Sequence, residues 1–374
     1  MKKPLYYLLI FFLFSCKDPY NIHVKSSEQS VLVVDGALNT TGTTTILISH
    51  SVALDDTARI AQETNSDVTV EGNDNSLFRL QETSPGSYTY PQLPLQTGNQ
   101  YRLHIKTFTG KEYFSEFIKV LKTPPIDSLN WIREEKGVTV YANTHDPENN
   151  THYYRWEYDE TWEIHSAYYA SYKFDPASHE IIPMPYNENT YICWKYAHSM
   201  NIILASSAQL QSDVIFEHPL LTIPPFDEKL SIRYSIQASL YGLTKQAYDY
   251  LQLMKKNTES LGSIFDSQPS ELTGNMYNLN DPKEKVIGFL TAGPVWQKRI
   301  FINNDQLTGW TFNLGCQSKE IANNPDTIKQ LVPMIYLPYG AHSMGTGIIG
   351  YYVSSPRCVD CALRGGSREK PIYW

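Results

Sequence analysis

After its first fourteen residues, the 374-residue chain has no long hydrophobic run. No later stretch approaches the roughly eighteen uninterrupted apolar residues that a membrane-spanning helix needs. Basic residues are also in deficit, since 31 lysines and arginines stand against 39 aspartates and glutamates. This acidic balance disfavours nucleic acid as a partner. The sequence therefore argues against a transmembrane helix beyond the N-terminus and against a nucleic-acid-binding function.

Motifs that carry familiar chemistry are missing as well. The sequence has no HExxH metalloprotease motif, no GxSxG nucleophile elbow, no P-loop and no GxGxxG dinucleotide fingerprint. His342 and Ser343 are adjacent, but neighbours in a strand point apart, and the segment 340–345 reads as a glycine-rich loop. We therefore expect a non-enzymatic protein without catalytic residues, cofactor or bound metal.

Three acids near tryptophans keep one enzyme class open. Asp159, Glu160 and Glu163 could belong to a sugar-cleaving cleft with aromatic platforms, although carboxylates on an exposed strand face are usually only solvated. The oxygen-rich turn at 146–150 lacks the regular ligand spacing of a calcium loop, so we interpret it as a solvated turn. A carbohydrate-active enzyme remains the third-ranked function.

The N-terminus carries a signal-peptide pattern. Two lysines precede an apolar run at 5–14, which is too short to span a bilayer as a permanent helix. The run ends in Leu-Phe-Ser-Cys16, the pattern that a lipoprotein signal peptidase reads; an ordinary secretory signal with a chance cysteine is the alternative. We predict a signal peptide at 1–15, lipidation of Cys16 and a linker at 16–29. Several acyl chains would anchor the protein to a membrane without crossing it.

The fold class is predicted to be mainly β. Aromatic residues make up 13% of the chain and include 27 tyrosines, which suit sheets and partly wet surfaces. Short strands separated by turn signals predict an immunoglobulin-like β-sandwich over 30–123. Gly98 followed by Tyr101 predicts a tyrosine corner, in which the hydroxyl bonds back to upstream backbone. The predicted strands of this domain are 31–34, 44–48, 68–70, 77–80, 88–90, 101–108 and 113–121.

A second β-sandwich domain is predicted over 126–374, with an inserted helix, long loops and a cysteine-containing C-terminal tail. We place the boundary at Thr123-Pro124-Pro125, because proline removes a backbone donor and fixes φ. Alternation with period two places Tyr154, Trp156 and Tyr158 on the core face of one strand.

The helix is predicted over 244–261. Thr244 is the expected N-cap, Ala247, Leu251 and Met254 form one apolar stripe, and Gly262 marks the C-terminal stop. We expect it to pack against the second sandwich.

The stretch 164–189 is rich in tyrosine, proline, serine and histidine and shows no clear period, so it reads as a long loop or an inserted hairpin. Long loops in compact domains are often functional. We therefore name Tyr168, Tyr169 and Tyr172 as candidate ligand-binding residues.

Four cysteines remain after lipidation: Cys193, Cys316, Cys358 and Cys361. In an oxidising compartment an even number favours disulfides, and four allow three pairings. A four-thiolate zinc site competes but lacks a second CxxC, and a redox-active CxxC would normally open a helix, whereas the flanking proline and glycines favour a loop. The tail 357–374 has few apolar residues and needs a tether. We therefore predict at least one disulfide from Cys358 or Cys361 to Cys193 or Cys316.

Several short motifs together resemble a Bacteroidota lipoprotein family that is catalogued only as a domain of unknown function, numbered 4249. The motifs are Tyr153-Tyr154-Arg155-Trp156-Glu157-Tyr158, Cys193-Trp194, Arg233-Tyr234-Ser235-Ile236, Ala247-Tyr248, Gly262-Ser263-Ile264-Phe265-Asp266, Gln268-Pro269-Ser270, Gly274-Asn275, Val286-Ile287-Gly288-Phe289, Cys358-Val359-Asp360-Cys361, Gly365-Gly366 and Lys370-Pro371. The resemblance implies a gene beside a TonB-dependent outer-membrane receptor of SusC type. With Lys17-Asp18 directly after the lipidated cysteine, it also implies display on the outer face of the outer membrane. It brings no catalytic residues and no ligand.

Two non-enzymatic functions follow from these expectations. The first is a surface lipoprotein that docks on a TonB-dependent barrel as an accessory subunit and helps to capture or admit a ligand. The alternative is a structural or assembly accessory of an outer-membrane complex, which would present interfaces and bind no small ligand.

Overall fold

The computed structural model describes residues 30–52, 61–259 and 271–374. The predicted signal peptide at 1–15 and the whole linker at 16–29, with the lipidation site Cys16, lie outside these residues, as do 260–261 at the predicted helix end and Gly262. Within the described ranges, no helix has the length and apolar character needed to cross a bilayer.

Strands dominate the described part of the chain, and three α-helices accompany them. The strands are β1 (Leu32–Asn39), β2 (Thr44–His50), β3 (Asp67–Gly72), β4 (Leu77–Arg79), β5 (Gln81–Ser84), β6 (Ser87–Tyr90), β7 (Gln100–Lys106), β8 (Glu112–Ser115), β9 (Ile118–Lys119), β10 (Ile126–Glu134), β11 (Gly137–His145), β12 (Tyr153–His165), β13 (Tyr172–Asp175), β14 (Glu180–Pro183), β15 (Ile192–His198), β16 (Ile203–Ser206), β17 (Val214–Ile223), β18 (Arg233–Gly242), β19 (Met276–Asn278), β20 (Val286–Ile287), β21 (Thr291–Gly293), β22 (Val295–Asn303), β23 (Lys319–Ala322), β24 (Leu337–Met344) and β25 (Gly347–Ser354). The helices are α1 (Lys245–Glu259), α2 (Pro325–Leu331) and α3 (Pro356–Val359), with single 3₁₀ turns at Tyr186–Glu188, Glu228–Leu230, Asn304–Gln306 and Cys361–Arg364.

The first sandwich packs two sheets around one apolar core. One sheet runs β20-β1-β2-β6-β5, with β21 also on β1, and the other runs β19-β8-β7-β3-β4, with β9 on β7. Alternate residues of β2, β3 and β7 point inward, and their apolar side chains are buried together. The predicted tyrosine corner is confirmed, because the buried Tyr101 hydroxyl accepts the Gln96 backbone N–H at 2.9 Å.

The boundaries of the first sandwich differ from the prediction in one respect. β19, β20 and β21, which lie between residues 276 and 293, join its two sheets, whereas the predicted boundary puts them in the second domain at 126–374. β20 and β21 each pair with β1 in parallel over two and three residues. Strands this short carry too few side chains for a pattern to show which sheet they complete.

The second sandwich faces the sheet β10-β11-β17 against the sheet β15-β12-β18-β22, with β16 also on β12. The predicted alternation along β12 is confirmed, since Tyr154 and Trp156 are fully buried and Tyr158 packs against the same core. The junction with the first sandwich is tied by Thr123, whose carbonyl accepts the Trp296 indole N–H at 2.8 Å.

A third, smaller unit combines two separate parts of the chain. It combines the sheet β23-β25-β24 with the hairpin β13–β14 and α2 around a separate apolar cluster. The predicted loop or hairpin at 164–189 is thus a hairpin. The predicted glycine-rich loop at 340–345 is wrong, because 340–344 belong to β24 and only Gly345, at φ +63°, makes the turn to β25.

Helix α1 begins where the sequence predicts. Its N-cap is Thr244, whose hydroxyl oxygen accepts the Ala247 backbone N–H at 3.1 Å. The predicted stripe of Ala247, Leu251 and Met254 points toward the junction of the two sandwiches. The helix therefore lies over the junction, not over the second sandwich alone.

Candidate functional site

Two disulfides fix the C-terminal tail to the body of the protein. Cys193 pairs with Cys361 and Cys316 with Cys358, each with Cα atoms 5.9 Å apart. The prediction that the tail is bridged to Cys193 or Cys316 is confirmed for both tail cysteines. The predicted loop around the CxxC is wrong, because α3 and the 3₁₀ turn Cys361–Arg364 occupy it.

Local chemistry explains the turn that carries the second tail cysteine. The Asp360 carboxylate caps the turn by accepting the Ala362 N–H at 2.8 Å. Gly365 ends it in the left-handed conformation at φ +84°. A side chain at Gly366 would meet the Cys193 Cβ at 2.6 Å, so only glycine lets the chain pass the disulfide this closely.

A cavity of about 340 Å³ lies beside these two disulfides, and we call it the Arg364 cavity. It is walled by the end of β12, the segment after it, the chain before β15 and β18, the segment 312–316 and the tail. Its lining residues are Ile164, His165, Ser166, Ala167, Tyr168, Tyr191, Ser231, Ile232, Phe312, Asn313, Leu314, Cys316 and Arg364. Aromatic rings and polar groups thus share one concave surface, the usual composition of a small-ligand site.

The Arg364 side chain is the charged group of the cavity, and it is only 4% exposed. Nη1 donates to Glu228 Oε1 at 2.6 Å and Nη2 donates to the His165 carbonyl at 2.6 Å. Nε is buried and has no hydrogen-bond partner among the described residues. A buried donor without an acceptor costs about 1–3 kcal/mol, more for a charged group, so the guanidinium that lines the cavity keeps one N–H unsatisfied.

The surroundings of Arg364 carry a positive balance. Glu228 is shared, because Oε2 also accepts from the Lys195 ammonium at 2.6 Å. Burial lowers the pKa of Arg364; Glu228 opposes this effect and Arg357 adds to it. Arginine remains protonated even so. One carboxylate therefore faces two directly bonded cations, which favours a bound anion.

The structure places one of the three predicted tyrosines in the lining of this cavity and a second beside a lining residue. Tyr168 lines it, stacks on Tyr339 with ring centroids 4.3 Å apart and contacts the Cys316 carbonyl through its hydroxyl at 3.4 Å. Tyr169 packs against the lining residue Tyr191 with ring centroids 5.6 Å apart. Tyr172 lies away from it, because its ring packs against Tyr351 in the core of the third unit.

Asp159, Glu160 and Glu163, the acids that suggested a glycosidase, do not point into one shared cleft. Asp159 is paired with His198 at 2.8 Å on the outer face of β12. Glu160 is buried on the opposite face, where it holds the Lys229 ammonium at 2.7 Å. Glu163 lies on the same face of the strand as Asp159, but its carboxylate is largely covered and bonded to His165 and Trp374. No pair of these carboxylates shares a cleft in the described residues, so the geometry does not match two-carboxylate glycoside hydrolysis.

The predicted solvated turn at 146–150 uses its carboxylate internally. Asp146 Oδ2 accepts the backbone N–H groups of Asn150 and Thr151 at 2.9 Å each. Across the described ranges, no three histidine, cysteine or acidic residues are grouped as metal ligands. His342 bonds to Glu320 at 2.5 Å and stacks on Tyr352, so it is not poised against a serine.

Arg364, Tyr191 and Phe312 line the cavity and were not predicted from the sequence. Arg364 reaches Glu228 across 136 residues and the His165 carbonyl across 199 residues. No local pattern encodes contacts at such separations.

Comparisons with known proteins place the chain in a family without an assigned function. A family model described as "Domain of unknown function (DUF4249)" matches residues 17–299, and the chain belongs to this family. A comparison with curated proteins found no match.

Among solved structures, a segment of two fibronectin type III domains from chicken tenascin is similar at 11% identity and a TM-score of 0.17, covering 57% of this chain and 93% of that one. The FN1-FN3 domains of chicken CNTN1 are similar at 13% identity and a TM-score of 0.19, covering 57% of this chain and 62% of that one. Scores this low do not establish a common fold, and the sandwich assignment rests on the strand pairing itself.

Proposed function

We propose that this protein is a lipid-anchored, non-enzymatic subunit of an outer-membrane TonB-dependent transporter, and that it captures a small anionic ligand in the Arg364 cavity. The observation that carries the capture role is the buried Arg364 Nε, which has no acceptor among the described residues although its side chain lines a cavity. The anchor is supported by the sequence around Cys16, and the transporter by the resemblance to lipoproteins encoded beside such receptors.

A binding role suits this site better than catalysis. Arg364 is held in place by Glu228 and the His165 carbonyl, and the turn that carries it is fixed by the Cys193–Cys361 disulfide. Such a rigid donor lowers the entropic cost of binding. The hydroxyl of Ser166, which lines the cavity beside His165, donates to the Thr190 carbonyl at 3.1 Å, so among the described residues this hydroxyl is not bonded to a histidine base.

The ligand class can be tested with benzoate, whose ring suits the aromatic wall and whose carboxylate suits Arg364. Benzamide is the neutral isostere. We expect the full chain to bind benzoate more tightly than benzamide in isothermal titration calorimetry. Arg364→Gln should weaken benzoate binding about tenfold, because a charge-assisted hydrogen bond contributes about 1.5–3 kcal/mol.

Lys195→Gln is the matched control, because Lys195 is the other cation bonded to Glu228 and does not line the cavity. It should bind benzoate nearly as the parent does. Equal losses in the two variants would attribute the effect to the ion-pair network and contradict capture by Arg364.

The transporter role needs its own experiment. The native lipoprotein is purified from detergent-solubilised outer membrane, and co-purifying proteins are identified by mass spectrometry. We expect a TonB-dependent barrel. A barrel partner together with no benzoate-class binding would favour the assembly accessory, and the absence of any barrel would contradict the transporter assignment.

A further inference from the structure

A second cavity, of about 320 Å³, lies between the two sandwiches beneath α1, and we call it the helix cavity. β1 and the segment 287–291 form one side, the residues at the ends of β12 and β18 form the other, and α1 closes it. It shares no lining residue with the Arg364 cavity. The two cavities are therefore separate.

Most of the helix cavity is apolar. The α1 stripe of Ala247, Leu251 and Met254 faces it, and the Tyr250 ring meets Phe289 of the first sandwich with ring centroids 5.4 Å apart. Helix stripes of this kind are normally covered by opposing side chains at near-crystalline density. Here the stripe faces open volume that corresponds to about ten water-sized groups.

Charged side chains stand at the rim. The Asp35 side chain is 62% exposed, and its one ion pair with the described part of the chain, to Arg155 Nη1, is long at 3.9 Å. The Arg155 Nη2 is bonded to Glu157. Burial and the neighbouring Glu157 hold the pKa of Tyr241 above its ordinary value, so that hydroxyl is neutral. The Asp35, Arg155 and Glu157 side chains therefore leave one negative charge, and it is least neutralised at Asp35.

We propose that the helix cavity binds a small amphipathic cation, with an apolar body under α1 and one ammonium or guanidinium group on the Asp35 carboxylate. The apolar wall provides the binding energy through burial. The rim provides the selectivity. Arg155, the cation that lines the cavity, is already bonded to Glu157, so a ligand with an anionic head group would be repelled by the Asp35 carboxylate. This inference does not depend on the proposed function, which concerns the other cavity.

Three probes that share one ring separate the contributions of body and head group: cyclohexylmethylammonium, cyclohexylmethanol and cyclohexanecarboxylate. Each is titrated calorimetrically into the full chain in detergent, and the heat of titration into detergent alone is subtracted. We expect the ammonium to bind most tightly and the carboxylate least. Asp35→Asn should weaken the ammonium about threefold and leave the alcohol unchanged, in keeping with a partly exposed ion pair.

Asp67→Asn is the charge-matched control. Asp67 lies in the same sandwich, is also exposed and pairs with Arg79 away from the cavity, so this variant should bind all three probes as the parent does. Ala247→Leu fills the cavity and should abolish binding of the ammonium and the alcohol, with the melting temperature as a check on folding. Arg364→Gln should leave ammonium binding intact.

Three results would overturn the proposal: no binding of the ammonium, carboxylate binding as tight as ammonium binding, or an Asp35→Asn chain with parental selectivity. The Asp35→Asn variant tests the proposal even if Ala247→Leu fails to fold, because Asp35 is exposed and its substitution removes no core contact.

Discussion

Glu163 shows how one carboxylate ties distant segments together. Its Oε1 is bonded to His165 at 2.6 Å, and its Oε2 accepts the Trp374 indole N–H at 2.9 Å. The bond to His165 is the main reason why the pKa of Glu163 lies below its ordinary value; burial opposes this effect and Trp374 adds to it. The carboxylate side chain is largely covered, so solvent screens these contacts little.

This lowered pKa predicts a pH dependence of stability. Because the unfolded chain binds a proton more readily than the folded one, the contribution of Glu163 to the free energy of unfolding is fully present above its unfolded pKa, near the ordinary glutamate value of 4.5. It is lost as the pH falls through the lower, folded value. We expect the urea midpoint of Glu163→Gln to lie below the parental one at pH 7 and to drop less than the parental midpoint between pH 6 and pH 3.

Glu320→Gln is the matched control, because Glu320 also pairs with a histidine but on an exposed surface. It should follow the parental midpoint through the acid range. A Glu163→Gln chain that loses as much stability in acid as the parent would show that this carboxylate does not contribute to the acid sensitivity.

At the scale of single residues, the confirmed predictions concern hydrogen bonds between residues that lie close together in the sequence. The tyrosine corner was predictable because Tyr101 bonds to a backbone only five positions away, and the Thr244 cap reaches only three positions. Arg364 was not predictable, since its partners stand more than one hundred residues away and share no motif with it. The candidate tyrosines Tyr168 and Tyr172 show the same limit: the sequence marked the segment, but tertiary packing sent one ring to the cavity and the other to a core.

At the scale of elements, the two disulfides differ in the length of chain that they close. Cys193 and Cys361 are 168 residues apart, and Cys316 and Cys358 are 42 apart. Removing a native disulfide from a small secreted domain typically costs about 2–5 kcal/mol, and loop entropy makes the longer loop the costlier one to lose by about 1 kcal/mol. We expect Cys193→Ser with Cys361→Ser to lower the free energy of unfolding more than Cys316→Ser with Cys358→Ser.

Guanidinium unfolding followed by tryptophan fluorescence measures both double variants against the parent. The Cys193–Cys361 variant should also lose benzoate binding, because that disulfide holds the turn that carries Arg364. A larger loss of stability from the Cys316–Cys358 pair would contradict the loop-length argument and point to native contacts around α3.

Strands were easier to predict than the sheets they join. In long alternating strands such as β12, the side chains at every second position are mostly apolar, so both the strand and the face that it turns to the core can be predicted from period two. The two-residue β20 and three-residue β21 are too short to show an alternating pattern, and their partner β1 lies some 250 residues earlier. The third unit was missed for a related reason, since its core combines residues from β14, β23, β25 and α2 that are far apart in the chain.

At the scale of the whole molecule, the chain leaves the first sandwich near residue 123, builds the second and returns to the first between residues 276 and 293. This double crossing, together with α1, encloses the helix cavity. The sixteen residue-to-residue steps from Cys16 to Leu32 could place the first sandwich at most about 55 Å from an anchored cysteine. An anchored body could therefore reach a neighbouring membrane protein.

Lipidation at Cys16 can be tested by replacing the cysteine. If Cys16 carries the lipid, Cys16→Ala should leave the precursor uncut or release the protein from membranes, because an acylated cysteine holds the chain through several buried acyl chains, each CH₂ contributing about 0.8 kcal/mol. Membrane fractionation with a radiolabelled fatty acid measures this, and Ser15→Ala, which keeps a small residue before the cysteine, should be processed and labelled as the parent is. External protease on intact cells should degrade the parent, as outward display requires, whereas protection that ends on lysis would place the body in the periplasm. A Cys16→Ala protein that still fractionates with membranes as a processed, lipid-labelled species would refute lipidation at this cysteine.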